Sequence, residues 1–222
     1  MTIREKLAKG FESLTSNSRF WILCGGITAS FLIAGAIQLY IPTGSEQSIR
    51  IEQTFAFISL ALLYIALLAS PLLKVFPKLP IKKAYIHARR PIGVLAFYYA
   101  FLHAYITFFS QLGGVKGIAY YNGQYELSIL LGLIGLGILC ILTLTSIDWV
   151  IRKMTFKNWK LLQRLVYIGS LAIFLHVIII GTHYNVLTVT ALVTYVAVAV
   201  LIVLELFRIR LVVIEKRGSS RA

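Results

Sequence analysis

Six long apolar stretches alternate with short polar ones along the chain. They fall at residues 20–41, 54–73, 91–109, 127–147, 161–180 and 186–207. Each is about 20 residues long, which at about 1.5 Å per helical residue is enough to cross a hydrocarbon core about 30 Å thick. The pattern therefore predicts an all-α fold, a bundle of six transmembrane helices.

Composition agrees with this prediction. Of the 222 residues, 59% are hydrophobic and only 14% are charged, and the mean hydropathy is +0.83. A water-soluble surface needs more charge than that. We therefore expect membrane lipid to surround the protein. Cys24 and Cys140 both lie in apolar stretches, where they suit small buried side chains better than a disulfide or a metal site.

The net charge of +14 is distributed very unevenly along the chain. All but two of the 22 basic residues lie before the first segment, between the second and third, around the fourth-to-fifth connection, or after the sixth. The other loops hold only Arg50 and Lys116. This alternation follows the positive-inside rule, so both termini are predicted to be cytoplasmic. It also argues against a nucleic-acid partner, because the charge marks one membrane side.

The chain is predicted to have three parts. Residues 1–18 form a basic amphipathic segment on the cytoplasmic surface, residues 19–209 form the six-helix domain, and residues 210–222 form a basic cytoplasmic tail. Pro71, together with Pro77 and Pro80, is expected to end the second helix, and Pro91 to begin the third. Glycines indicate close packing of the fourth helix, namely Gly132, Gly135 and Gly137.

Two histidines lie deep within predicted helices, His103 in the third and His176 in the fifth. Odd-numbered helices run parallel, and both histidines lie about 12 to 15 residues past the cytoplasmic start, so they should share one depth in the outer half of the bilayer. Two such imidazoles can ligate a haem iron from both sides. The alternative is that each histidine simply bonds a neighbouring carbonyl or serine.

The residues one and two turns before each histidine share its helix face and are mostly small. They are Ala96, Tyr99 and Ala100 before His103, and Gly169, Ala172 and Ile173 before His176. Small side chains would leave room for a flat cofactor. His87 and His183 lie at the membrane edges and are interpreted as surface histidines, although His183 could reach a haem propionate.

Two stretches carry a resemblance to a known family. They are ARRPIGVLAFYYAFLHAYITFF (88–109) and TSIDWVIRKMTFKNWKLLQRLVYIGSLAIFLH (145–176). Both resemble the ferric reductase-like transmembrane domain family, and within it the MsrQ-type haem-binding membrane subunits of the methionine sulfoxide reductase system. The shared features are an Arg-Arg pair followed by Gly, a Tyr-x-x-x-His, a Thr-Ser ending the fourth helix and a Trp-x-x-Leu-x-x-x-x-Tyr beginning the fifth.

The resemblance implies b-haem ligation by His103 and His176 in the bacterial inner (plasma) membrane. It also implies electrons that come from a cytosolic flavin reductase or quinol and reach a redox protein acceptor outside. Two-haem members carry a second histidine 13 or 14 residues earlier on both helices. This chain has Arg89 or Arg90 and Gln163 at those positions. One haem is therefore expected.

Loss of an inner haem leaves the cytoplasmic half without a metal relay. We hypothesise that a basic, hydrogen-bonding cluster there receives the phosphate of FMN or a quinone headgroup, since arginine suits such groups. The cluster consists of Arg89, Arg90, Trp159, Gln163 and Arg164. The alternative is that these residues only serve the positive-inside signal and the anionic lipid surface.

Two other functions compete with an electron-transfer subunit. A transporter or channel would need charged or broken helices at the membrane midplane, and the helix centres here carry little charge. A cofactor-free structural or assembly subunit that descends from such a cytochrome remains open, because Arg89 and Gln163 show that haem ligands have been lost.

Overall fold

The computed structural model describes residues 18–118, 123–181 and 188–219, and this part of the chain is helical with no strand. The amphipathic segment predicted before residue 18 and His183 lie outside the described residues. Within these ranges nine α-helices follow one another: α1 (Ser18–Tyr40), α2 (Ser45–Val75), α3 (Lys82–Ile106), α4 (Val115–Ile118), α5 (Gly123–Leu144), α6 (Asp148–Lys153), α7 (Phe156–Gln163), α8 (Leu165–Ile180) and α9 (Val189–Ser219). A wider, π-helical turn, Thr107–Gln111, continues α3.

Six helical spans in the described ranges are long and apolar enough to cross a membrane, which confirms the predicted number. They are α1, α2, α3 with its π-helical turn, α5, the α7–α8 pair and α9. Many of their large apolar side chains point outward; Leu39, for example, is 85% exposed and Phe31 71%. Such a surface is typical of contact with lipid rather than water.

Helix α2 lies at the centre of the packing. It contacts α3 along much of its length, and α1 and α9 pack against it as well, while α5 packs against α8. Leu63 and Leu67 of α2 are buried against Ala96 of α3 and Leu139 of α5. A second cluster joins α1, α2 and α3 around the buried ring of Tyr99. These contacts hold the third and fifth spans on either side of one interior.

Two helices begin about nine residues earlier than the apolar pattern predicted, α2 at Ser45 and α3 at Lys82. Both early starts contact neighbouring helices, since Ile51 packs against α1 and the Tyr85 hydroxyl donates to the Ile65 carbonyl of α2. The prediction that Pro91 begins the third helix is therefore wrong, since it lies buried inside α3. Pro71 likewise lies within α2 rather than ending it, and α2 stops at Val75, shortly before Pro77.

The fifth span is broken at Arg164 into α7 and α8. The backbone forms tighter turns there. The Arg164 amide donates to the Leu161 carbonyl and the Tyr167 amide to the Arg164 carbonyl, each three residues back rather than four. Thr155 caps the start of α7 by accepting from the Asn158 amide at 3.3 Å. Gln163 therefore lies at a joint between two helices.

Candidate functional site

The rings of His103 and His176 face each other inside the bundle. Their centroids are 6.4 Å apart and their planes make an angle of 67°. His103 lies one turn before the end of α3, and His176 lies in the last two turns of α8. Both side chains are partly buried. The sequence argument for a pair at one depth on two parallel spans is consistent with this placement.

His103 is held by α2 through a buried carboxylate. Its Nδ1 lies 2.7 Å from Oε2 of Glu52 and 3.2 Å from the Glu52 carbonyl oxygen. Glu52 is only 7% exposed. The hydroxyl of Thr107 lies 3.0 Å from the same Oε2. An ionisable group inside a membrane span is costly, and these partners offset the cost of burying Glu52.

His176 is held by α5 through a backbone oxygen. Its Nδ1 lies 2.8 Å from the carbonyl oxygen of Ser128 and 3.0 Å from the Ser128 hydroxyl. That hydroxyl also donates to the His176 carbonyl at 3.1 Å. Ser128 is completely buried. In both histidines Nδ1 is therefore occupied by a protein acceptor, and Nε2 is the nitrogen left for a ligand.

Glycines allow α5 to come this close to α8. A Cβ atom at Gly132 would lie 3.0 Å from Nδ1 of His176, and one at Gly135 would lie 2.5 Å from Cγ1 of Ile173. On α8, a Cβ at Gly169 would lie 2.9 Å from Ile138. The packing predicted for the glycines of α5 holds at Gly132 and Gly135. Gly137 differs, since it has open space beside it.

The small residues before each histidine serve helix packing rather than lining open space. Ala96 is fully buried, and its carbonyl accepts from Ser59 of α2 at 2.8 Å. The hydroxyl of Tyr99 donates to the Gly26 carbonyl of α1 at 2.7 Å. The expectation that this face leaves room for a cofactor is therefore corrected at these positions, because neighbouring helices occupy the space.

Three residues of the predicted cytoplasmic-side cluster contact the stretch from Leu142 to Asp148, which runs from the end of α5 to the start of α6. Nη1 of Arg90 lies 2.5 Å from Oδ1 of Asp148, and the Trp159 indole donates to the Thr145 carbonyl at 3.2 Å. The Gln163 amide reaches the Leu142 carbonyl at 3.5 Å. The cluster is thus built around the α5–α6 connection.

The other two members of the cluster lie apart from this contact. Arg89 turns to α2, donating from Nε to the Ala66 carbonyl at 3.1 Å and from Nη1 to the Ser70 hydroxyl at 2.9 Å. Arg164 is exposed at the joint between α7 and α8. Only three of the five predicted residues are therefore brought together.

Asp148 was not predicted as part of this cluster. The Arg90 guanidinium hydrogen bonds to its carboxylate and holds the pKa of Asp148 below its ordinary value, with Arg19 and Arg152 adding to the effect. The positive charge of Arg90 is therefore already paired with the carboxylate of Asp148.

Glu52 and Ser128 were also missed by the sequence argument. Glu52 lies two residues before the apolar stretch that begins at residue 54, in a polar run that reads as a loop. An acidic residue so close to a membrane span is the one signal that could have found it. Ser128 contacts His176 through its hydroxyl and its backbone carbonyl, and the shorter contact, by the carbonyl, leaves no trace in a sequence.

Fold and site together define a multi-pass integral membrane protein in which two imidazoles meet inside the helical bundle. Residues 54–174 match the family described as ferric reductase like transmembrane component. The matched region covers more than half of the chain, and the chain belongs to this family. The resemblance found in residues 88–109 and 145–176 is thereby confirmed.

Curated relatives agree with the family. The heme-binding subunit MsrQ of protein-methionine-sulfoxide reductase from Brucella anthropi is 31% identical over 127 residues, 57% of this chain and 54% of that protein. The magnetosome protein MamZ from Magnetospirillum gryphiswaldense is 38% identical over 100 residues, 44% of this chain and 15% of MamZ. The chain thus spans about half of MsrQ and a small part of MamZ. A bacterial inner-membrane location fits these relatives.

Proposed function

We propose that this protein is a b-type cytochrome subunit that carries electrons across the membrane through one haem held by His103 and His176. The observation that carries the proposal is the 6.4 Å separation of the two ring centroids. Relatives that are named heme-binding subunits support the choice of cofactor. The function follows from the site rather than from the fold, since helical bundles serve many purposes.

The histidine pair has the dimensions that a shared metal requires. A bond from a metal to an imidazole nitrogen is about 2.0–2.1 Å long, so two imidazoles on opposite sides of one metal have centroids about 6.4 Å apart. The 67° angle is compatible, because each ring can rotate about its own metal–nitrogen bond. Metal-ligating histidines usually donate their other nitrogen to a carboxylate or carbonyl, as both do here.

Bound haem would supply one-electron redox chemistry. The protein's own residues orient and insulate it. Glu52 and the Ser128 carbonyl fix the rotation of the two imidazoles, and the apolar helices around them keep water away. Gln163 and Arg90 stand where a second pair of ligands would be needed and are bonded to Leu142 and Asp148 instead. This supports a single haem.

The distribution of basic residues supports the orientation of the protein, and the family resemblance supports the direction of transfer. With both termini cytoplasmic, the histidine pair lies in the outer half of the bilayer, and about 20 Å of helix separates it from Gln163. The donor is then a cytosolic flavin reductase or quinol that approaches the cytoplasmic-side cluster at Arg90, Trp159 and Gln163. The acceptor is a redox protein outside.

A cofactor-free structural subunit is the second candidate. It is favoured by the protein bonds that both histidines already make and by the packed faces at Ala96 and Tyr99. These bonds use only Nδ1, however, and a purely structural role does not require the two rings to face each other. The two candidates differ in whether the purified protein moves electrons.

Electron transfer across a bilayer tests the proposal. The full chain is expressed with haem supply and reconstituted into vesicles loaded with ferricyanide, and FMN that dithionite has reduced is added outside. We expect ferricyanide to be reduced much faster than in empty vesicles, and His176→Ala to abolish the difference. His87→Ala, which changes an exposed histidine at the membrane edge, serves as the matched control and should behave as wild type. Equal rates with and without the protein would refute the proposal.

A further inference from the structure

The two histidines are held by chemically different acceptors. His103 meets a carboxylate from α2, whereas His176 meets a neutral backbone carbonyl from α5. The two contacts are nearly equal in length, 2.7 and 2.8 Å, so geometry does not distinguish them. The charge of the acceptor distinguishes the two contacts, because a hydrogen bond to an ionised acceptor is roughly twice as strong as a neutral one.

The Glu52 carboxylate is itself held in place from α3. Thr107 lies one turn after His103, and its hydroxyl contacts both Oε2 of Glu52 at 3.0 Å and the His103 carbonyl at 2.8 Å. Gln111 hydrogen bonds to the same carboxylate. Both residues belong to the π-helical turn, and such turns occur often at functional sites. The widened turn thus clamps Glu52 against His103.

A carboxylate on the outer nitrogen makes an imidazole a more basic ligand. A more basic ligand donates more charge to iron and stabilises the more positive oxidation state. The Glu52 carboxylate contacts His103 directly, whereas the Nδ1 of His176 contacts only the neutral oxygens of Ser128. The two axial positions become unequal even though both are histidines.

We propose that Glu52 is a positioning residue that fixes His103 and, through its negative charge, makes His103 the stronger axial ligand and lowers the midpoint potential of the haem. The proposal rests on the haem-carrying function proposed above. It assigns a role to an acid within a membrane span that otherwise serves only to satisfy a few hydrogen bonds.

Redox titration of the purified full chain tests this role. Glu52→Gln keeps the size of the side chain and an acceptor oxygen but removes the charge. We expect the preference of the site for ferric over ferrous haem to fall about tenfold, which equals an upward shift of about 59 mV for a one-electron couple. Glu52→Asp retains the charge and should restore most of the wild-type potential.

A matched control is available on the same helix. Glu46→Gln removes an exposed carboxylate of α2 that pairs with Arg50, so the potential should stay near wild type. Thr107→Val provides a second test if Glu52→Gln does not fold. It removes a hydroxyl that holds Oε2 of Glu52 beside His103, so the carboxylate is less well fixed and the potential should rise, by less than in Glu52→Gln.

The outcomes separate the two proposals. A Glu52→Gln protein that binds haem with an unchanged potential, or a Thr107→Val protein whose potential does not rise, overturns the role of Glu52 and leaves the haem site intact. A wild-type protein that binds no haem under the same conditions overturns the proposed function itself. An upward shift in Glu52→Gln with no shift in Glu46→Gln supports both.

Discussion

Gly132 lies directly against the ring of His176, so closely that a side chain there would require the imidazole to shift by a few tenths of an ångström. A Cβ atom on Gly132 would be 3.0 Å from Nδ1 and 3.1 Å from Cε1 of the imidazole. The same Nδ1 is bonded to the Ser128 carbonyl, so the ring cannot retreat without lengthening that bond. Gly132 therefore sets the position of the histidine as directly as the hydrogen bond does.

Gly132→Ala should displace His176 and weaken haem binding. Overpacking typically costs about 1–3 kcal/mol, so the affinity for haem should fall about five- to 150-fold. Haem titration of the haem-free protein, followed at the main absorption band, measures the change. Gly137→Ala is the control, because a Cβ there meets nothing within 4 Å. Equal affinities for the two variants would contradict this account of Gly132.

The Arg90–Asp148 contact predicts a pH-dependent contribution to stability. Because Arg90 lowers the pKa of Asp148, the stabilisation is fully present above the ordinary pKa of the carboxyl and is lost as the pH falls through the lowered pKa. Asp148→Asn should therefore lower the thermal midpoint slightly at pH 7 and have a smaller effect at about pH 3, below the ordinary pKa of the carboxyl. The exposed position of Asp148 keeps the effect small. Thermal scans in detergent at both pH values measure the two effects. A larger effect in acid would show that the predicted direction of the pH dependence is wrong.

The predicted orientation can be tested by labelling single cysteines. With Cys24 and Cys140 replaced by alanine, Ser45→Cys at the start of α2 should react with a membrane-impermeant maleimide in intact cells. Lys78→Cys, between α2 and α3, should react only after the membrane is opened. Both positions are exposed, so accessibility is comparable. The reverse labelling pattern would place the termini outside.

Entry of electrons on the cytoplasmic side should depend on Gln163. Gln163→Leu removes a hydrogen-bonding group worth about 0.5–1.5 kcal/mol, so reduced FMN or a quinol should bind about two- to tenfold more weakly. Haem reduction measured against donor concentration gives the apparent affinity. Lys157→Gln, an exposed basic residue outside the cluster, should leave it unchanged. Identical donor dependence in wild type and Gln163→Leu would remove Gln163 from the donor site.

Hydrophobic pattern was sufficient to predict the spans and the meeting of His103 with His176. The length of the spans and their odd numbers place His103 and His176 at one depth. Because burying an imidazole in lipid is costly, both side chains are expected to point into the bundle. Helix ends were less predictable. Residues 45–53 are polar enough to resemble a loop, yet they are helical because α2 packs on α1 and α3 there.

The partners of the two histidines could not be predicted for a physical reason. Ser128 contributes a backbone oxygen, and every residue has one, so its selection depends on the approach of α5 to α8. Trp159 likewise donates to the Thr145 carbonyl. The ion pair between Asp148 and Arg90 could not be predicted either, because 58 positions of sequence separate the two residues. Such contacts exist only once the helices have packed.

The most direct test of the account is the visible absorption spectrum and haem content of the purified protein beside His103→Ala and His176→Ala. We predict one b haem per wild-type chain, a reducible Soret band with sharp α and β bands, and loss of this low-spin spectrum in each variant, with His87→Ala unchanged. A wild-type protein purified without haem after expression with haem supply would contradict the account. So would a variant lacking either His103 or His176 that keeps the same spectrum.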